Sequence, residues 1–181
     1  MIQPFTLLQV PKVEFGIGSI KKLSLYINEG RVLLVLGNTI SHHEKVLALR
    51  DSLSNQNIEV VTSIVSGEPS AERIDEIAFS LYNDKITCVV GLGGGSVLDS
   101  AKALSVMLYH MEKRGVGNLS VKTFLEGVGT EVAPRGRLPL VLIPSTAGTG
   151  SEATKNAVIS KVGEHGFKKS LRDDSYLPDV A

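Results

Sequence analysis

The stretch Ile86-Thr87-Cys88-Val89-Val90-Gly91-Leu92-Gly93-Gly94-Gly95-Ser96-Val97-Leu98-Asp99-Ser100-Ala101-Lys102-Ala103 decides the fold. Ile86 to Val90 reads as a strand buried on both faces, because its residues are apolar or β-branched and do not alternate with charged ones. The glycines end the strand. Val97, Ala101, Leu104 and Leu108 then recur at helical spacing. A buried strand that passes through glycines into a helix is the repeating unit of a parallel sheet.

The unit recurs on both sides of this stretch. Val32 to Leu36 is a second buried strand, followed by a turn at Gly37-Asn38-Thr39. Ser41 to Asn55 is expected to be a helix with Ser41 as its N-cap and Val46, Leu49 and Leu53 on one face. Ile58 to Val65 is a strand broken by Ser66-Gly67-Glu68-Pro69. Ser70 caps the next helix, whose stripe is Ile74, Ile77, Ala78 and Leu81. On the C-terminal side, a helical turn is expected at Val121 to Leu125. A short strand follows at Leu140 to Ile143, and two strands around Gly163 to Gly166 lie within Asn156 to Leu171. The predicted class is α/β, a Rossmann-like parallel sheet with helices on both faces. Such sheets bind ligands at the carboxyl ends of their strands.

Composition excludes several function classes. The 181 residues are 43% apolar, which is enough for a core. Nineteen Lys and Arg balance nineteen Asp and Glu, so no basic face is implied and neither nucleic acid nor an anionic membrane is an expected partner. Met1 to Phe15 does not read as a signal peptide, and the apolar run Val32 to Leu36 is too short to span a bilayer. One cysteine fits a reducing compartment, and the expected location is the cytoplasm. Cys88, inside a buried strand, is expected in the core. His42, His43, His110 and His165 show no metal-ligand spacing and are expected on the surface.

Two loops carry candidate chemistry, and both lie at strand ends. Gly93-Gly94-Gly95-Ser96 opens a helix. Its glycines let the backbone approach an anion, and the free N–H groups of the helix start stabilise negative charge. The alternative is a tight turn with no ligand. The loop is neither the standard dinucleotide fingerprint, whose third glycine is replaced by Ser96, nor a Walker A loop. Asp99 and Lys102 fall in the first turns of that helix. The plain reading is that Asp99 stabilises the helix dipole and Lys102 is solvated, but Asp99, about one turn from the loop, could also reach a ribose or a nicotinamide amide. The second loop, Pro144-Ser145-Thr146-Ala147-Gly148-Thr149-Gly150-Ser151-Glu152, crowds four hydroxyls around two glycines. It could hold a phosphate or ribose, or it could make only its own turns, with Ser151 capping a helix start.

Taken together, the two loops resemble a known family. Residues 93–103 are similar to the GGGSxxDxAKA motif of the iron-containing (group III) alcohol dehydrogenases, and residues 144–152 to that family's PTTAGTGSE motif, with Ser145 for the first Thr. Phe15-Gly16-x-Gly18 and Leu177-Pro178-Asp179-Val180-Ala181 also match, so the resemblance covers the whole chain. It implies the fold of the N-terminal domain of dehydroquinate synthase, with NAD or NADP as cofactor and a small alcohol or aldehyde as substrate. Gly93, Gly94, Gly95 and Ser96 would hold the pyrophosphate, and Ser145, Thr146, Thr149 and Ser151 the adenine and nicotinamide ends. Lys168 would reach the nicotinamide ribose. In the family a helical C-terminal domain supplies an Asp and three His to Fe²⁺ or Zn²⁺. That metal-binding domain is expected to be absent from this chain, which is read as a dinucleotide-binding domain over residues 1–181, inactive alone, with no catalytic residue or metal ligand of its own.

A departure from the family concerns Gly37, where many members carry Asp. A carboxylate there would repel the 2′-phosphate of NADP, so Gly37 and Asn38 are expected to admit NADP. The alternative is that Gly37 serves a turn needing positive φ. From another function class, a non-catalytic nucleotide-binding or interaction module would retain the fold without the chemistry. A dehydroquinate synthase-type activity is disfavoured by the intact second loop. An edge strand from Met1 to Val10 would pair with a second copy as a homodimer, unless Pro4 and Pro11 protect it.

Overall fold

The computed structural model describes residues 4–27, 30–115, 117 and 119–181. Four parallel strands form the central sheet in the order β2-β1-β3-β4: β1 (Arg31–Gly37), β2 (Glu59–Val65), β3 (Ile86–Gly93) and β4 (Leu140–Pro144). Between them run helices α1 (Glu44–Ser54), α2 (Ala71–Leu81) and α3 (Gly95–Arg114). An antiparallel hairpin, β5 (Asn156–Lys161) and β6 (Phe167–Arg172), follows as a separate sheet. A 3₁₀ segment at Val121–Phe124 stands where the helical turn was expected.

Side-chain alternation along β1 explains why both faces are covered. Leu33 and Val35 point into a core shared with α2, α3 and the hairpin. Val32, Leu34 and Leu36 point into a second core with α1 and the 3₁₀ helix Ser19–Tyr26. All five are fully buried, which accounts for the absence of polar alternation in this strand. Gly91 lets α3 approach β3: a Cβ there would stand 2.7 Å from Ala101 Cβ.

Several local expectations are corrected. Helix α1 begins at Glu44, with His43 rather than Ser41 as N-cap. The backbone first makes consecutive turns, Ser41 N–H to Gly37 O and His43 N–H to Ile40 O, and the Ser41 hydroxyl donates to Asn38 O. Ser151 caps no helix; it begins a 3₁₀ turn, Ser151–Ala153, with Gly150 at the cap position. Helix α3 has no solvated stripe before its last turn, because sheet, α2 and hairpin enclose it. Lys102 and His110 are therefore buried rather than exposed.

The outer edge of β4 is met by the chain's own end. Val180 bridges both Val141 and Lys12, and Leu142 N–H donates to Val180 O. Arg137 holds this end, pairing with Asp179 at 2.8 Å and donating to Leu177 O, while Leu140 N–H donates to Asp179. Residues 4–10 form no strand, so the expected self-pairing edge is not found there; Met1, Ile2 and Gln3 lie outside the described residues. Among the described residues, no helix is long and apolar enough to cross a membrane.

Candidate functional site

Strand order places a crevice where the sequence put its glycines. β1 lies between β2 and β3, so the connections after β1 and β3 depart to opposite sides of the sheet. The carboxyl ends at such a switch point are where open α/β sheets bind ligands. Gly37 ends β1 and Gly93 ends β3, and both back onto Val97 in the first turn of α3. A Cβ on Gly37 would stand 3.4 Å from Val97 Cγ2, and one on Gly93 would stand 2.7 Å from Val97 Cβ. Gly93 thus has no room for a side chain. Gly37 has room, and its φ is not in the left-handed region, so the alternative reading of Gly37 as a positive-φ turn residue is set aside.

The two loops form facing walls. Gly93 pairs with Pro144, and Ser145 N–H donates to Gly93 O at 2.8 Å. A Cβ on Gly94 would lie 3.4 Å from Thr146 Oγ1. One on Gly95 would lie 3.2 Å from Thr149 Cβ and 3.4 Å from Ser151 Oγ. Gly93, Gly94, Gly95, Ser96, Ser145, Thr146, Thr149 and Ser151 are therefore brought together. Helix α3 opens here with Gly94 at its cap position and no side chain bonded to its first N–H groups. Twenty residues of aligned peptide dipoles end at that uncapped point, which favours an anion. A glycine-lined wall, a hydroxyl-rich wall and open N–H donors fit a dinucleotide's phosphates.

Beneath the walls lies a buried charge pair. Burial raises the Asp99 carboxyl above the usual range, against the pull of Lys102, the Val158 N–H and the Ser151 hydroxyl. Lys102 is fully buried, and its ammonium donates to Ser151 O, Thr154 O and Asn156 O at 2.9, 2.7 and 2.8 Å. Sequence reasoning singled out Lys102 but expected it to be solvated. The available signal was a lysine between Ala101 and Ala103 in an otherwise apolar run.

The remaining expected residues are placed as follows. Asn38 is exposed just beyond β1. Lys168, on β6, is exposed and pairs with Glu68, three residues past the end of β2. Burial pushes the Cys88 thiol up to about 12, which makes it an inert core residue. His42, His43 and His165 are exposed as expected. Among the described residues, no three His, Cys, Asp or Glu side chains are grouped to hold a metal ion. Beside the second loop, a groove of about 610 Å³ is lined by Phe15, Ile17, Ile143, Pro144 and Glu152, among others.

Comparison with known proteins shows the family of the chain. The family model of the iron-containing alcohol dehydrogenases matches residues 11–181. The chain is 35% identical over 125 residues to a long-chain-alcohol dehydrogenase of Geobacillus thermodenitrificans, covering 69% of this chain and 29% of that one. It is 28% identical over 172 residues to an NADPH-dependent butanol dehydrogenase of Clostridium saccharobutylicum, covering 93% and 42%. The solved structure of an iron-containing alcohol dehydrogenase from Thermococcus thioreducens superposes with a TM-score of 0.79 at 27% identity, covering 96% of this chain and 45% of that one. The chain thus spans less than half the length of these relatives.

Proposed function

Because the chain belongs to the iron-containing alcohol dehydrogenase family, we propose that its 181 residues are the dinucleotide-binding portion of an NAD(P)-dependent alcohol dehydrogenase. The observation that carries this reading is the uncapped start of α3, held against the hydroxyl-rich loop. In this reading Gly93, Gly94, Gly95 and Ser96 receive the pyrophosphate at the helix start, where N–H donors and dipole offset its charge. Ser145, Thr146, Thr149 and Ser151 supply hydroxyls along the opposite wall. Asp99 closes the base of the cleft, and Lys168 reaches the ribose from the hairpin after exchanging its partner Glu68. The cofactor's own chemistry is hydride exchange with a small alcohol or aldehyde; the chain's task is to bind and orient it.

NADP is the favoured cofactor. Gly37 and the exposed Asn38 put no carboxylate where the 2′-phosphate would sit. The NADPH dependence named for the Clostridium relative supports the choice. A further reading, resting on the resemblance that puts the family's metal ligands in a helical C-terminal domain, is that these 181 residues alone do not turn alcohols over. With Fe²⁺ or Zn²⁺ added, no nicotinamide reduction by a primary alcohol is expected, and measurable turnover would contradict it. The expected location is the cytoplasm, where the single thiol of Cys88 stays reduced.

Fluorescence titration with NADPH and, separately, NADH tests the binding reading. Saturable binding, tighter for NADPH, is expected. Tighter NADH would refute the cofactor preference, and binding of neither would refute the role.

A further inference from the structure

We propose that Lys102 is the positioning residue of the cleft: its ammonium ties the 145–155 loop to α3 and so sets the distance between the two walls. The proposal rests on the cofactor-binding reading for its consequence, though not for its geometry. The loop needs such a tie. Residues 145–150 belong to no helix or strand, and Gly148 and Gly150 sit at φ +93° and +66°, where the backbone has many alternatives. The near end is held by Ser145 N–H on Gly93 O. At the far end, Lys102 gathers the carbonyls of Ser151, Thr154 and Asn156, all within 2.9 Å. The three ammonium N–H groups are directed at these three carbonyls, with the Thr154 hydroxyl a longer fourth acceptor at 3.4 Å, an arrangement that a neutral side chain of similar length cannot reproduce.

Burial is what makes the tie specific. A fully buried ammonium must be hydrogen-bonded, so the loop is held in the conformation that presents these carbonyls. Three charged groups bear on it: Asp99 from α3, Glu152 from the Ser151–Ala153 turn, and Arg137 from the segment before β4. Burial lowers the Lys102 ammonium to about 8, against Asp99 and Glu152, which raise it. Deprotonation leaves two N–H donors for three carbonyls, so the loop loosens as pH rises through that value.

The test combines amide hydrogen exchange of the unliganded chain with NADPH titration, for wild type, Lys102→Met and Lys102→Arg. In Lys102→Met, exchange at residues 145–156 should accelerate at least about tenfold while β1 and β3 amides stay protected, and NADPH affinity should fall by a similar factor. Lys102→Arg, which keeps charge and donors, should recover part of both. Wild-type affinity should weaken between about pH 7 and about pH 9.5, and the Met variant should lack this step. Unchanged loop exchange in folded Lys102→Met would overturn the proposal. If that variant does not fold, wild-type loop protection that stays constant relative to β3 across the same pH range would overturn it. Failure of the wild type to bind any dinucleotide would instead refute the cofactor reading, and loop exchange would still decide the role of Lys102.

Discussion

Gly95 and Thr149 stand so close that a Cβ on the glycine would lie 3.2 Å from Thr149 Cβ. The start of α3 and the hydroxyl-rich loop after β4 thus pack against each other at the proposed dinucleotide site. A side chain at position 95 would project into it. Gly95→Val should leave the circular dichroism spectrum intact and weaken NADPH binding at least about tenfold, or roughly 1.4 kcal/mol, by titration. Equal affinity in a folded variant would place the cofactor elsewhere.

Gly37 is a different kind of glycine. Its backbone accepts any residue, and a Cβ would meet only Val97 Cγ2, at ordinary contact distance. Gly37→Asp should therefore fold. Its carboxylate should shift the ratio of NADPH to NADH affinity towards NADH by about tenfold or more. Parallel titrations with the two cofactors check this, and an unchanged ratio would refute the specificity argument.

Much of this cleft was legible in the sequence because glycine and hydroxyl residues mark strand ends by composition alone. Gly93 to Ser96 and Ser145 to Ser151 could be placed from local pattern. What holds them was not legible. Lys102 lies two turns into α3, and its three acceptors are backbone carbonyls of residues 151, 154 and 156, which carry no sequence signature. Ser41 failed as a cap for a related reason: the turns made by residues 37–43 decide where α1 starts, and a hydroxyl residue ahead of an apolar stripe does not reveal them. His110 was misplaced because helical periodicity reads one buried face, whereas α3 is enclosed on all sides for most of its length.

His110 makes stability pH-dependent. Burial, with Arg114 nearby, holds its imidazole below the usual range, against the backbone of Gly136 and Arg135, which raises it. The unfolded chain therefore binds the proton more tightly than the folded one. Stability from this group is complete above the unfolded value of about 6.5 and is lost as pH falls below it. Urea midpoints should drop between about pH 7.5 and about pH 5, and His110→Leu should flatten part of that slope. An identical slope in the variant would contradict the assignment.

Tyr176 is fully buried, and its hydroxyl donates to Pro134 O at 2.5 Å. Tyr176→Phe leaves that carbonyl unpaired and should cost about 1–3 kcal/mol in urea unfolding. Its distance in sequence from both loops, and its place in the core beneath α3, mean that NADPH affinity should stay unchanged. A stability change near zero would show that the hydrogen bond contributes nothing net.

The proposed function has these 181 residues bind a nicotinamide dinucleotide between the start of α3 and the loop after β4. Backbone amide resonances during an NADPH titration test it most directly. Saturable shifts are expected, concentrated at Gly94, Gly95, Ser96 and Thr149, with smaller ones at Gly37 and Asn38. Saturable shifts confined to other parts of the surface, or no shifts at the α3 start while the chain remains folded, would contradict it.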